Sequence, residues 1–140
     1  MKLFIDTWGW VELRDSRGAR HHQVEQFYLN FRQRRGVTYT TDYVLDETVT
    51  HLFRRLPFAK ADESLTYIQQ AITAGFLLLE RITEARFEKA IELRRKYSDK
   101  PRISFTDFTS MVVMSELGIT DVMTEDDHFL QVGMGFNKVP

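Results

Sequence analysis

Short apolar runs alternate with longer stretches of helical periodicity along this chain. Lys2-Leu3-Phe4-Ile5 is an apolar run closed by Asp6-Thr7, the pattern of a buried strand whose carboxyl end opens into a turn or helix. Beyond the turn-like Asp15-Ser16-Arg17-Gly18, residues 19 to 35 carry Val24, Phe27, Tyr28 and Phe31 at helical spacing, and Gly36 is placed to cap the helix. Val37-Thr38-Tyr39-Thr40 is β-branched and aromatic, which favours a strand. Thr41 then stands as N-cap to a helix carrying Leu45, Val49, Leu52, Phe53 and Leu56, and Pro57 stops it. A helix over 59 to 73 ends before Gly75, and the run Phe76-Leu77-Leu78-Leu79 predicts a strand covered on both faces. Thr83 is placed to cap a helix bearing Phe87, Ala90, Ile91 and Tyr97, and Thr106 to cap another bearing Phe108, Met111, Val112 and Leu117 before Gly118. Asp121-Val122-Met123-Thr124 is a short strand candidate, and a helical turn near 127 to 132 leads past Gly133 and Gly135 to a last edge strand at Phe136-Asn137-Lys138-Val139.

Strands alternating with helices predict a three-layer α/β/α sandwich around a mainly parallel sheet of four or five strands, joined by right-handed crossovers. Composition adjusts that picture only at its edges. With 140 residues and 43% apolar content the chain is expected to form one domain, 1–140, with a genuine core. The absence of cysteine removes disulfides and thiolate zinc sites and fits a reducing, cytoplasmic setting. No signal peptide or bilayer-spanning run is visible, so a soluble protein with no membrane partner is expected. Nineteen basic against twenty acidic side chains give a net charge of -1, which argues against gripping nucleic acid by bulk charge.

In open parallel sheets the binding crevice lies beyond the carboxyl ends of the strands. Asp6 follows strand one, Asp126 lies two residues past Thr124, and Asp107 opens a helix, where free N–H groups favour a negative charge. Each alone reads as an ordinary turn or cap residue. Together they would repel one another unless a divalent cation lay between them. Hard oxygen donors with no cysteine and no paired histidine spacing suit Mg2+ or Mn2+ better than zinc. Such an ion activates water against a phosphodiester without a protein nucleophile. Glu47 points away from the Leu45, Val49, Leu52 and Leu56 stripe, so periodicity reads it as solvated.

Phe4-Ile5-Asp6-Thr7, Glu47 on the third helix, Phe105-Thr106-Asp107 and Thr124-Glu125-Asp126-Asp127-His128-Phe129 resemble, in order and spacing, the PIN domain family. The resemblance implies a metal-dependent endoribonuclease of VapC type, with Asp6, Glu47, Asp107 and Asp126 as the acids that hold Mg2+ or Mn2+. It implies that Thr7 and Thr124 are the small hydroxyl residues that hydrogen-bond those acids. It further implies an RNA substrate, a homodimer, and a small DNA-binding antitoxin of a type II toxin–antitoxin pair. Two doublings leave alternatives open: Asp46 beside Glu47, and Asp127 beside Asp126, with Asp127 either an N-cap or a further ligand.

Other residues read blandly. His128 is expected to be satisfied by nearby backbone, and His21-His22, diverging by roughly 100° on a helix, are expected to be solvated. Trp8 and Trp10 default to core, with base stacking or a subunit contact as alternatives. The basic groups at 32–35, 54–55, 94–96 and 100–102 read as helix surface, yet an acid cluster needs flanking cations to hold phosphate. Arg54, two turns beyond Glu47 on the same face, is the first candidate.

Overall fold

A computed structural model describes residues 1–140. Five strands, β1 (Lys2–Ile5), β2 (Val37–Thr41), β3 (Leu77–Glu80), β4 (Asp121–Met123) and β5 (Asn137–Val139), form one wholly parallel sheet in the order β3-β2-β1-β4-β5. Seven helices connect them: α1 (Thr7–Arg14), α2 (His21–Gln33), α3 (Asp42–Arg55), α4 (Phe58–Thr73), α5 (Glu84–Lys96), α6 (Phe105–Leu117) and α7 (His128–Gln131). From β1 the chain steps outward to β2 and β3, then crosses back over the sheet to β4 and β5. Right-handed crossovers therefore put α1 to α4 on one face and α5 to α7 on the other. Most helix contacts follow that division, α1 packing on α2 and α3, α3 on α4, and α5 and α7 on α6, while α3 also meets α6 across it. No helix is long and apolar enough to cross a membrane.

The strand order reverses at β1, so the crevice expected of such sheets opens past the carboxyl ends of β1 and β4. Leu3, Phe4 and Ile5 are fully buried, as are Val122 and Met123 beside them. The inward side of β2 is built of threonines. Thr40 Oγ1 donates to the Ile5 carbonyl (3.1 Å) and accepts from the Trp10 indole (3.3 Å), which locks α1 onto β1 and β2.

The architecture agrees with the pattern of the sequence; several local details differ. Helix α1 is not visible in the periodicity, because Gly9, Trp10, Val11 and Glu12 are all buried in succession and leave no amphipathic stripe. Helix α2 is two residues shorter at each end than its pattern. Arg35, not Gly36, takes the left-handed conformation after it (φ 59°), while a Cβ on Gly36 would run into the Phe31 ring. Ser104, not Thr106, caps α6: its hydroxyl accepts from the Asp107 N–H (3.1 Å), and Thr106 sits inside the first turn. Strand β3 is an edge strand rather than one covered on both faces, and Phe76 and Leu78 are 55% and 39% exposed. The buried face of α3 is Val44, Thr48 and Leu52, with Leu45, Val49 and Leu56 only half-buried. Thr48 hides this face, because its hydroxyl is satisfied within the helix by the Val44 carbonyl (2.8 Å).

Gly9 sets how closely α1 can lie on the sheet. A Cβ there would stand 2.7 Å from the Met123 carbonyl oxygen, which is backbone and cannot swing aside. Gly9→Ala is therefore expected to lower unfolding free energy by about 1–3 kcal/mol in urea denaturation. An unchanged midpoint would mean that α1 can lift away from β4 at no cost.

Candidate active site

Asp6 is the residue at which β1 passes into α1. Its backbone is extended (φ -83°, ψ 170°), but its carboxylate makes no capping bond to the helix and instead accepts from Thr124 Oγ1 (3.0 Å). Thr124 directly follows β4 and is wholly buried, and its hydroxyl also accepts from the Asp126 N–H (3.1 Å). One threonine thus ties the ends of the two central strands together and sets the positions of two acids.

Glu47 reaches the same place from α3. It neighbours the buried Val44–Thr48 face and is half-buried, with Thr7 Oγ1 donating to Oε2 (3.1 Å); Asp46 is exposed. Asp107 sits in the first turn of α6, one turn past its Ser104 cap. Asp126 accepts from the His128 N–H (2.9 Å), which folds the loop so that His128 Nδ1 lies 2.7 Å from Asp126 Oδ2 and 3.1 Å from Asp107 Oδ2. Asp107, Asp126 and His128 present ligand-type atoms within 4.8 Å of one another. Asp6 and Glu47 lie outside that tightest triplet, but the charge of Glu47 acts on Asp107 and that of Asp107 on Asp6.

The electrostatics join all four acids. Burial, the charge of Asp107 and that of Glu47 push Asp6 from 3.8 up to about 7, although the Thr7 N–H and the Thr124 hydroxyl pull it down. Asp107 is raised chiefly by burial and further by Asp126 and Glu47, while the bond to His128 opposes the shift. None of the four is paired with a lysine or arginine. Asp15, another buried acid of the same chain, shows the contrast. Its hydrogen bonds and ion pairs with Arg17 (3.0 Å) and Arg55 (3.3 Å) hold its carboxyl down at about 2.

Buried carboxylates without a fixed counter-charge bind protons or a cation. Oxygen donors that are mostly acidic fit a hard divalent ion, and the one nitrogen, from His128, fits Mn2+ somewhat better than Mg2+. The sequence pattern misses His128 as a neighbour of the acids, since its side chain meets two carboxylates and not the backbone. The signal is the Asp126-x-His128 spacing, in which the acid caps the amide two residues on and turns the ring back over itself. Asp127, by contrast, faces outward: it makes no capping bond to α7, and Lys138 Nζ lies 2.6 Å from its carboxylate. Arg54 is exposed near the end of α3. His21 is not solvated, since its Nδ1 lies 2.7 Å from the Glu12 carbonyl, whereas His22 is exposed. Trp10 is core and Trp8 half-buried.

A family model described as the PIN domain matches residues 3–134. Among solved structures, the chain resembles the crystal structure of VapC20 of Mycobacterium tuberculosis, described as a sarcin–ricin loop cleaving toxin. The two share 29% identity with a TM-score of 0.81, over 98% of this chain and 98% of that one. No curated protein matches the sequence significantly.

The raised acids give the protein an inverted pH dependence in chelator. Asp6 holds a proton in the folded state that the unfolded chain releases near 3.8, so its contribution is complete below that value and disappears as pH rises through about 7. Asp107 acts in the same direction, and Asp15 in the opposite one below pH 4. Thermal unfolding in EDTA should therefore show stability falling between pH 4 and 7, by on the order of a few kcal/mol. Asp6→Asn should flatten that fall. A rise in stability over the same interval would contradict the assignment.

Proposed function

The chain belongs to the PIN domain family, and from that premise we propose that it is an endoribonuclease that hydrolyses RNA phosphodiester bonds with Mg2+ or Mn2+. Asp6, Glu47, Asp107 and Asp126 hold the ion in this reading. The observation that carries it is the gathering of four carboxylates, from four separate segments, at the switch point of a parallel sheet with no arginine or lysine among them. A bound divalent ion supplies charge neutralisation at the phosphate and a more acidic water.

The chain's own residues supply the rest. Thr124 and Thr7 each donate a hydroxyl to an acid, leaving the remaining carboxylate oxygens free for the ion. His128 spans Asp107 and Asp126 and keeps them within reach of one ligand. Asp127, held by Lys138, supports the loop that carries Asp126. Arg54 is assigned to substrate phosphate, one of the cations that must offset the repulsion between the acids and RNA. The likeness to VapC20, described as a toxin, supports a toxin role; the family resemblance extends this reading to a cytoplasmic homodimer paired with a small DNA-binding antitoxin.

Purified protein should cut single-stranded RNA in Mg2+ or Mn2+ and not in excess chelator. Asp6→Asn and Asp107→Asn are each expected to lower the cleavage rate by about 100-fold or more while keeping the circular dichroism spectrum. Cleavage that persisted in EDTA, or in both variants, would remove this mechanism. A matched single-stranded DNA that was cut as fast as the RNA would make the enzyme a general nuclease.

A further inference from the structure

We propose that Arg20, lying over the ring of Trp8, forms a subsite for an RNA phosphate and its adjoining base at the rim of the acid cluster, with Glu125 as the group that phosphate displaces. The inference rests on the ribonuclease reading and adds to it a particular place for substrate.

Two rim segments border the acids, and Arg20 touches both. On one side Trp8 directly follows Thr7, the partner of Glu47, and the Arg20 guanidinium carbon stands 5.5 Å from the Trp8 ring centre. On the other side Glu125 lies between Thr124 and Asp126, and Arg20 Nη1 is 2.6 Å from its carboxylate. Nη2 and Nε reach the Pro140 carbonyl (2.9 Å) and the Gln23 side chain (3.0 Å).

The backbone at this position is held by a buried acid. Glu12, 7% exposed, accepts the Arg20 N–H on Oε1 (2.6 Å), and its own carbonyl is met by the next residue, His21. Gly18 packs against that carboxylate so closely that a Cβ would overlap it. A buried carboxylate and a glycine thus fix the start of α2 where the arginine can overhang the rim.

Several of the chain's other arginines are committed elsewhere. Arg17 and Arg55 serve Asp15, Arg86 serves Glu80 and Glu116, and Arg94 closes the loop before α6 through three carbonyls. The Arg20–Glu125 pair differs in its exposure, since the Glu125 side chain is 52% exposed. Arg20 itself is half-buried (28% exposed) and held by Pro140, Gln23 and the Trp8 ring, so the exposed glutamate can leave while the guanidinium stays in place. Once Glu125 leaves, a guanidinium seated on an indole offers its fork to phosphate oxygens beside an aromatic surface of the kind on which bases stack.

Fluorescence anisotropy with labelled single-stranded RNA, at low salt in EDTA so that nothing is cut, tests the proposal. Arg20→Ala should weaken binding about tenfold and make the salt dependence shallower by roughly one phosphate. Glu125→Gln should tighten binding several-fold, and that gain should vanish in the Arg20→Ala, Glu125→Gln double variant; an arginine that only braced the fold would not produce such coupling. Should Arg20→Ala fail to fold, Arg20→Lys takes its place, keeping the charge but losing the fork, with about threefold weaker binding expected. Unchanged affinity in the folded Arg20 variant, or a Glu125→Gln gain that survives without Arg20, overturns the subsite and leaves the ribonuclease reading standing. Wild-type protein that neither bound RNA in EDTA nor cut it with Mg2+ or Mn2+ present would overturn both.

Discussion

Burial of carboxylates without a fixed counter-charge, with their mutual repulsion added, at the end of one sheet is the constraint around which this protein is arranged. Asp6 and Asp107 are buried, Glu47 and Asp126 half-buried, and no arginine or lysine is set among them. Charges so placed cost folding free energy unless protons or a cation occupy the site. The surrounding structure holds them in place regardless. Thr124 joins the two central strands through Asp6, Ser104 fixes the helix start that carries Asp107, and Gly9 lets α1 lie close enough for Thr7 to reach Glu47. Asp15 shows what the same chain does with a buried acid that serves the fold, since two arginines are set against its carboxylate. Burial and neighbouring acids push Asp6 up to about 7, whereas the arginines beside Asp15 hold it down at about 2.

Much of this is legible in the sequence, and the exceptions have physical causes. The five strands and the parallel arrangement follow from apolar runs alternating with helical periodicity, a pattern that depends on burial over many residues and tolerates local error. Helix α1 leaves no trace because a short helix buried on nearly all sides has no polar face to contrast with. Periodicity reads Glu47 as solvated because Leu45 and Val49 look like the core stripe, whereas Thr48, a polar residue satisfied by its own helix, marks the buried face. Leu78 and Phe76 mislead in the other direction, since an apolar run does not reveal that its strand lies at an edge. Asp126 and Asp127 are not separable by pattern. Their geometry separates them, one carboxylate turning back to cap the His128 amide and the other meeting Lys138.

Membership of the PIN domain family and the likeness to VapC20 place the chain among proteins built on this sheet. The His128 ring lies against both Asp107 and Asp126, and Arg20 stands over Trp8 where the rim segments meet. Both are carried on loops and helix ends fixed by the sheet. Precise placement of a few side chains on a rigid frame is what catalysis by positioned charge requires.

The central claim is that the acid cluster exchanges protons for a divalent ion. Calorimetric titration of Mn2+ at about pH 6.5, in buffers of differing ionisation enthalpy, measures that exchange directly. Mn2+ binding should release protons, since burial raises Asp6 to about 7, and the release should fade in alkaline solution. Absence of Mn2+ binding, or binding with no proton release at either pH, would contradict the account.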